Sequence, residues 1–181
     1  ALMVADLVPR IFAVPYQALM PVFQKDVLGV GPEGLGMLMA APGVGAVLST
    51  LLLASIAHSF RRKGLLVLGG LISLGVFLIL FSRTTSFPLA LVILVAVGGC
   101  QIMFMATVNA MVQMTVPDAL RGRVMSLYML DRGLMPAGSL MAGVTAHFIG
   151  APATVSLMGL IVIVLAVLVA WRVPLIRRLK T

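Results

Sequence analysis

The chain has 181 residues, of which 61% are hydrophobic and only 10% are charged, and its mean hydropathy is +1.18. Soluble domains carry roughly 25% charged residues, so this composition excludes a water-soluble fold and predicts a protein that lies in a lipid bilayer. The net charge of +8 does not indicate nucleic-acid binding, because the basic residues cluster between apolar runs and do not alternate with aromatic residues that stack on bases. The chain begins at Ala1 without an initiator methionine, so we expect it to be a piece of a longer protein.

Six apolar runs follow one another along the chain, and each approaches the roughly 20 helical residues that cross the hydrocarbon core of a bilayer. Short polar or basic stretches separate these runs, and no linker or low-complexity segment interrupts the series. The sequence therefore predicts an all-α, polytopic membrane protein, with one domain over residues 1–181 that is a bundle of six transmembrane helices. The predicted helices cover residues 2–23, 34–57, 64–81, 88–112, 124–149 and 154–173.

Lysine and arginine residues distinguish the two ends of these helices. The loops after the second and fourth helices and the C-terminal tail hold nine of the thirteen, whereas the loops after the first, third and fifth helices hold only Lys25 and Arg83. Cytoplasmic loops of membrane proteins are enriched in lysine and arginine. We therefore expect a multi-pass protein of the cell membrane whose C-terminus lies in the cytoplasm.

Polar side chains are distributed unevenly among the predicted helices. The third and sixth helices are almost uniformly apolar and are predicted to face lipid, whereas the first, fourth and fifth carry nearly all the polar groups. Because polar groups in lipid are costly, these three helices are predicted to line the bundle interior or a water-filled cavity. The uncharged amides either contact a substrate or only hydrogen-bond neighbouring helices. These candidates are Gln17, Gln101, Asn109 and Gln113.

Two acid–base pairs lie inside predicted helices. Asp131 and Arg132 lie about two turns from the cytoplasmic end of the fifth helix, and Asp6 and Arg10 lie four residues apart in the first. A charged residue near the middle of a membrane helix costs about 2.5–3.5 kcal/mol, so its presence there favours a functional use. One hypothesis is that these residues couple or gate transport, with Asp131 as the titrating carboxylate. The alternative is that they form structural ion pairs.

Small residues recur at every fourth position of the fifth helix, at Gly138, Ala142 and Ala146, with Gly143 on a parallel stripe. This spacing lets membrane helices approach closely, so we expect helix packing here, in an interface that is either fixed or able to slide. No cofactor or metal is expected, because the sequence has no ATP-binding or hydrolytic motif and its histidines have no ligand partner at usable spacing.

The segment of residues 116–126 contains a loop motif formed by Pro117, Arg121, Gly122 and Arg123, and glycines and a proline follow it in the fifth helix. This segment resembles the second half of a major facilitator superfamily transporter, and it is most similar to the branch of enterobactin- and macrolide-efflux-like exporters. Similar residues in the first and second helices extend the resemblance over essentially the whole chain, which would correspond to family helices seven to twelve. One departure is His58, which stands where the complete gating motif of the family would have Asp.

The resemblance implies the C-terminal six-helix half of a secondary active exporter, which carries small amphipathic compounds by alternating access and is usually driven by a proton gradient. Its partners would be the missing N-terminal six-helix half, the lipid bilayer, a small-molecule substrate and protons, and not nucleic acid. The alternatives are an uptake transporter of the same fold, and a noncatalytic membrane subunit or scaffold whose polar groups only pack helices. An enzyme is not expected, because the sequence shows no nucleophile, metal or paired-carboxylate constellation.

Overall fold

Six helical segments follow one another in the computed structural model, which describes residues 11–56, 63–115 and 135–172. No strand occurs among these described residues. The prediction of an all-α membrane bundle is therefore confirmed. In chain order the segments are α1 (residues 14–27), α2 (Pro32–Ile56), α3 (Lys63–Arg83), α4 (Phe87–Thr115), α5 (Met135–Ile149) and α6 (Ala151–Arg172).

The first segment, α1, is not a regular α-helix. It begins as a 3-10 helix at Val14–Leu19, continues as an α-helical turn at Met20–Val22 and ends as a π-helix at Phe23–Val27. Proline has no backbone N–H group, so Pro15 and Pro21 interrupt the regular hydrogen-bond series and favour such changes of pitch. The sequence predicted an end at residue 23, and the structure extends the segment by one π-helical turn.

Glycine and proline determine where the helices are separated. Gly29 and Gly150 have positive φ angles of 61° and 83°, which residues with a Cβ atom rarely adopt. Proline fits the first turn of a helix, where its missing N–H group is not needed. As a result α2 begins at Pro32 and α6 begins at Ala151, just before Pro152, so both helices start earlier than predicted.

The helices do not pack in chain order. The most extensive contacts join α2 to α4, α4 to α3, and α3 to α6, while α5 contacts α1 and α6. Each helix buries a stripe of residues three and four positions apart, which is the face that a helix presents to its neighbours. The clearest stripe lies on α6 and consists of Ala151, Val155, Met158, Val162 and Ala166.

Glycines let two helix pairs approach backbone to backbone. Where α2 crosses α4, a methyl group added at Gly98 would overlap the carbonyl oxygen of Pro42. Where α3 crosses α6, a methyl group added at Gly75 would lie 2.7 Å from the carbonyl oxygen of Gly159. Small residues permit such close crossings between membrane helices, so these two contacts hold the centre of the bundle together.

The outer surface of the described bundle is apolar. Among the described residues, three helices are long and apolar enough to cross a membrane, over Pro32–Ser55, Phe87–Ala110 and Ala151–Leu168, and α3 contains a shorter apolar helix, Val67–Arg83. Large apolar side chains point outward, and Phe148 is 79% exposed. Exposed apolar surface of this extent is compatible with lipid or with further transmembrane helices. The chain is therefore an integral membrane protein.

The position of α3 differs from the expectation that the third helix mainly faces lipid. It lies between α4 and α6, and Leu71, Leu74, Leu78 and Phe81 are each at most 1% exposed. Only a narrow strip that includes Ile72 faces outward. The composition of α3 is uniformly apolar because a helix that packs on two neighbours needs apolar residues on both sides.

Candidate functional site

The buried stripe of α4 contains one polar interruption. Leu94, Val97, Phe104 and Val108 are fully buried at positions three or four apart, and Gln101 stands in the middle of this series. Gln101 is half-buried, and its side chain makes no hydrogen bond within the described part of the chain. Its amide atoms are not fully enclosed by the described residues, among which the Tyr16 hydroxyl is the fully buried side-chain polar atom without a partner. An amide retained at this position is therefore a candidate for binding a polar group of a ligand.

Gln101 lies between the two sides of α4 that contact other helices. Gly98, one turn earlier, packs against α2, and Phe104 packs toward Gly70 of α3. Val92 lies on the opposite side of α4 and is 66% exposed. Because successive residues of an α-helix point about 100° apart, Gln101 faces the bundle and not the outer surface.

The other amides predicted on the fourth helix lie further along α4. Asn109 is half-buried and interacts with another group, and Gln113 lies near the end of the helix, with its side chain outside the described ones. A rise of 1.5 Å per residue places Gln101 and Asn109 about 12 Å apart, on one side of the helix. Thr107 between them donates to the carbonyl oxygen of Met103 at 2.7 Å, so its hydroxyl already has an acceptor.

The fourth amide, Gln17, is exposed on α1, next to a buried aromatic cluster. Tyr16 is 1% exposed, and its ring packs edge-on against Phe81 with the centroids 6.4 Å apart. Phe23 also packs on the ring of Phe81, with the centroids 4.7 Å apart. The Tyr16 hydroxyl lies near the Gln17 side chain but makes no hydrogen bond of normal geometry within the described residues. Sequence reasoning missed this buried hydroxyl, because a tyrosine in an apolar run does not show which way its ring points.

The charged candidates lie outside the described residues, and their roles in gating or coupling stay predictions. They are Asp6, Arg10, Asp131 and Arg132 of the predicted first and fifth helices and Pro117, Arg121, Gly122 and Arg123 of the predicted loop motif. Within the described ranges, no three histidine, cysteine, aspartate or glutamate side chains lie together in a way that could hold a metal ion.

The small residues predicted to pack in the fifth helix point in two directions. Gly138 is buried against α1, where an added methyl group would lie 2.9 Å from the carbonyl oxygen of Ile11. Ala142 is fully buried, and Ala146 is partly buried against the core. Gly143 is exposed, and a methyl group added there would meet no atom within 4 Å. Its place differs from the prediction, since it contributes no helix contact in the part of the chain that the structure describes.

An apolar helix bundle with amides on the interior side of a central helix is typical of a membrane transport protein. A family model described as "Transmembrane secretion effector" matches residues 1–180. The chain therefore belongs to the transmembrane secretion effector family, within the major facilitator superfamily. The family is one of membrane transport proteins.

One curated relative has a named cargo. The chain is similar to the staphyloferrin A transporter of Staphylococcus aureus (strain NCTC 8325 / PS 47), with 27% identity over 147 residues. The matched region covers 80% of this chain and 36% of the relative, so the chain spans only part of the length of that transporter. No solved structure matched the chain.

Proposed function

We propose that the chain is the C-terminal six-helix half of a secondary active exporter that moves small amphipathic compounds across the cell membrane by alternating access. The observation that carries this proposal is the half-buried amide of Gln101 in the apolar stripe of α4, which makes no hydrogen bond with any described residue. The family description supports secretion, and the similarity to a staphyloferrin A transporter supports a small-molecule substrate. Within the superfamily we assign the chain to the enterobactin- and macrolide-efflux-like branch.

The substrate would contact the interior side of α4. An apolar surface with a few fixed polar groups binds an amphipathic ligand by burying its apolar part and orienting its polar part. Gln101 and Asn109 lie on one side of α4, about 12 Å apart, so an extended ligand can reach both. Gln113 and Gln17 are the further candidates for substrate contact.

The partner half would cover the exposed side of α2. This side lies opposite the contact with α4, and a stripe of small residues runs along it between exposed apolar residues such as Val47 and Leu51. Small residues let the backbone of another helix approach closely. The hydroxyl of Thr50 donates to the carbonyl oxygen of Ala46 at 2.8 Å, so it requires no polar partner from another helix. We define this small-residue stripe by its exposed members Gly36, Ala40, Gly43, Thr50 and Ala54.

Protons would drive transport through Asp131 or Asp6, with Arg132 and Arg10 as charge partners. A carboxylate inside a membrane protein can bind and release a proton as its surroundings change between the two access states. The basic loop motif and the C-terminus would lie on the cytoplasmic side, because lysine and arginine are enriched there.

The coupling proposal is tested with the full-length protein reconstituted in vesicles. Substrate-driven proton flux is compared between the wild type, Asp131→Asn, Asp6→Asn and Asp26→Asn. Asp26 is exposed at the end of α1 and serves as the matched control, with flux expected to equal that of the wild type. Unchanged coupled flux in both Asp131→Asn and Asp6→Asn would contradict the proposed coupling role.

The substrate-binding proposal is tested by Gln101→Leu, which removes the amide and keeps a side chain of similar size. Export of staphyloferrin A and of an amphipathic fluorescent dye, used as probe compounds, should fall about tenfold while the protein remains in the membrane at the wild-type level. Val92→Leu, on the exposed side of α4, is the control and should leave export unchanged. Wild-type export by Gln101→Leu would contradict the proposal.

Uptake through the same architecture is a second candidate, because the name of the relative gives no direction of transport. Accumulation of the same probe compounds in inside-out and right-side-out vesicles distinguishes the two directions. An exporter accumulates the compound in inside-out vesicles, and an uptake transporter accumulates it in right-side-out vesicles.

A further inference from the structure

A groove opens at the end of the bundle where α3 ends and α5 turns into α6. Its volume is about 570 Å³. Arg83, the last residue of α3, and Ile149, the last residue of α5, line one side. The first turns of α6 line the other side, with Ala153, Ser156, Leu157 and Leu160.

The walls of this groove carry two polar side chains, Ser156 and Arg83, which differ in whether they have a hydrogen-bond partner. The hydroxyl oxygen of Ser156 lies 2.5 Å from that of Ser82, and Ser82 donates to the carbonyl oxygen of Ile79 at 2.7 Å. Ser156 therefore already has a partner, and the serine pair joins α3 to α6 behind the groove. Arg83 is exposed and makes no ion pair or hydrogen bond with any described residue. Among the described residues, the groove thus presents the cation of Arg83, without a partner, beside an apolar surface.

The groove lies at the level where lipid headgroups meet acyl chains. The apolar span of α6 covers Ala151–Leu168, and the apolar helix of α3 ends at Arg83. Arg83 is therefore at the headgroup level, where a long cationic side chain can reach the interface. Leu157 and Leu160 are 42% and 51% exposed and lie about 9 and 14 Å from Ala151 along α6, further toward the acyl chains.

We propose that this groove binds an anionic phospholipid, with the phosphate on Arg83 and one acyl chain along Leu157 and Leu160. A guanidinium group binds phosphate through charge-assisted hydrogen bonds, which are roughly twice as strong as neutral ones. A zwitterionic lipid carries its own cation, which offsets this attraction, so a headgroup with net negative charge fits the unpaired arginine better. The site faces lipid and does not depend on the proposed transport function.

The test is native mass spectrometry of the full-length protein in detergent, with equal amounts of phosphatidylglycerol and phosphatidylcholine added. The wild type should retain phosphatidylglycerol in preference to phosphatidylcholine. Arg83→Gln should lower the retention of phosphatidylglycerol about tenfold and leave that of phosphatidylcholine unchanged. Ala153→Trp places a large side chain in the groove and should lower the retention of phosphatidylglycerol while leaving the cation in place.

The matched control is Lys25→Gln, which removes an exposed cation from α1 on the same predicted side of the membrane. It should retain phosphatidylglycerol like the wild type, and thermal unfolding without added lipid checks that every variant is folded. Wild-type retention by Arg83→Gln would overturn the proposal, as would an equal loss in Lys25→Gln, since that result indicates unspecific charge attraction. Wild-type retention by a folded Ala153→Trp would show that the lipid does not lie in the groove.

Discussion

The helices of the α3–α6 pair and those of the α2–α4 pair approach their partners by the same means, a glycine at the crossing. The two pairs differ in whether their polar side chains are hydrogen-bonded. Both pairs cross where a glycine removes a side chain, at Gly75 in the first pair and at Gly98 in the second. In the α3–α6 pair, Ser82 and Ser156 bond to each other across the interface. On α4 of the second pair, Gln101 lies in the middle of a buried stripe and makes no hydrogen bond with any described residue.

This difference separates a part of the bundle that is stabilised internally from a part that is open to a ligand. A hydrogen-bonded serine pair adds stability, whereas an unpaired amide lowers it and is expected where the side chain serves a function. The outer surfaces differ in the same way. The exposed side of α6 carries large apolar residues suited to lipid, whereas the small-residue stripe of α2 is suited to another helix.

The largest effect on stability is expected from Gly98→Ala. The added methyl group would overlap the carbonyl oxygen of Pro42, a backbone atom that cannot move away unless α2 separates from α4. We expect the free energy of unfolding to fall by about 3 kcal/mol, measured by thermal unfolding of the purified full-length protein in detergent. Gly69→Ala is the matched control, because Gly69 lies on α3 with no atom within 4 Å of the added methyl group.

The control variant Gly69→Ala should raise stability by up to about 1 kcal/mol, since alanine favours the helix over glycine. If Gly98→Ala were as stable as Gly69→Ala, the close α2–α4 crossing would not hold the two helices together.

A smaller effect, of opposite sign, is expected from Gln101→Leu. Replacing an unpaired amide by an apolar side chain in an apolar stripe should raise the free energy of unfolding by about 1 kcal/mol while export falls. Thermal unfolding and export are measured on the same preparation. A loss of stability would show that the amide has a structural partner. The polar group of α4 would then stabilise the bundle, as the serine pair between α3 and α6 does.

The smallest effect is expected from Ser156→Ala, which removes the hydrogen bond to Ser82 across the α3–α6 interface. The free energy of unfolding should fall by about 0.5 kcal/mol, because Ser82 keeps its bond to Ile79. Ser55→Ala is the control, since the Ser55 hydroxyl bonds only within α2, to the carbonyl oxygen of Leu51 at 3.0 Å. Equal thermal midpoints for the two variants would show that the Ser82–Ser156 bond does not stabilise the α3–α6 interface.

The candidate site was partly predictable. Gln101 and Asn109 could be selected from the sequence, because an amide inside an apolar run is costly in lipid and is visible without any structure. The sequence could not show that Asn109 has a partner while Gln101 has none among the described residues, since such contacts depend on the fold. Gly98 also carried a signal, because it adjoins Gly99 in a helix otherwise rich in large apolar residues.

Other features gave no local signal. In the sequence, Arg83 was noted only as one of two cations in the predicted non-cytoplasmic loops. The groove beside it forms where the end of α3 meets the junction of α5 and α6, which is distant from α3 in the chain. The expectation that the third helix faces lipid failed for a related reason. A uniformly apolar helix is compatible with lipid and with two packed neighbours, and only its contacts with α4 and α6 distinguish the two cases.

The amino-acid sequence alone was enough to determine that this protein is an all-α bundle of membrane helices and roughly where those helices lie. Length, apolar composition and the positions of glycine and proline are local properties, and the bilayer makes them decisive because unpaired backbone groups are excluded from lipid. The tertiary structure decided which helices touch, which small residues are buried and which polar side chains have partners. Each of these depends on contacts between residues far apart in the chain. For this reason only the folded bundle showed that Gln101 has no hydrogen-bond partner among the described residues and that a groove lies beside Arg83.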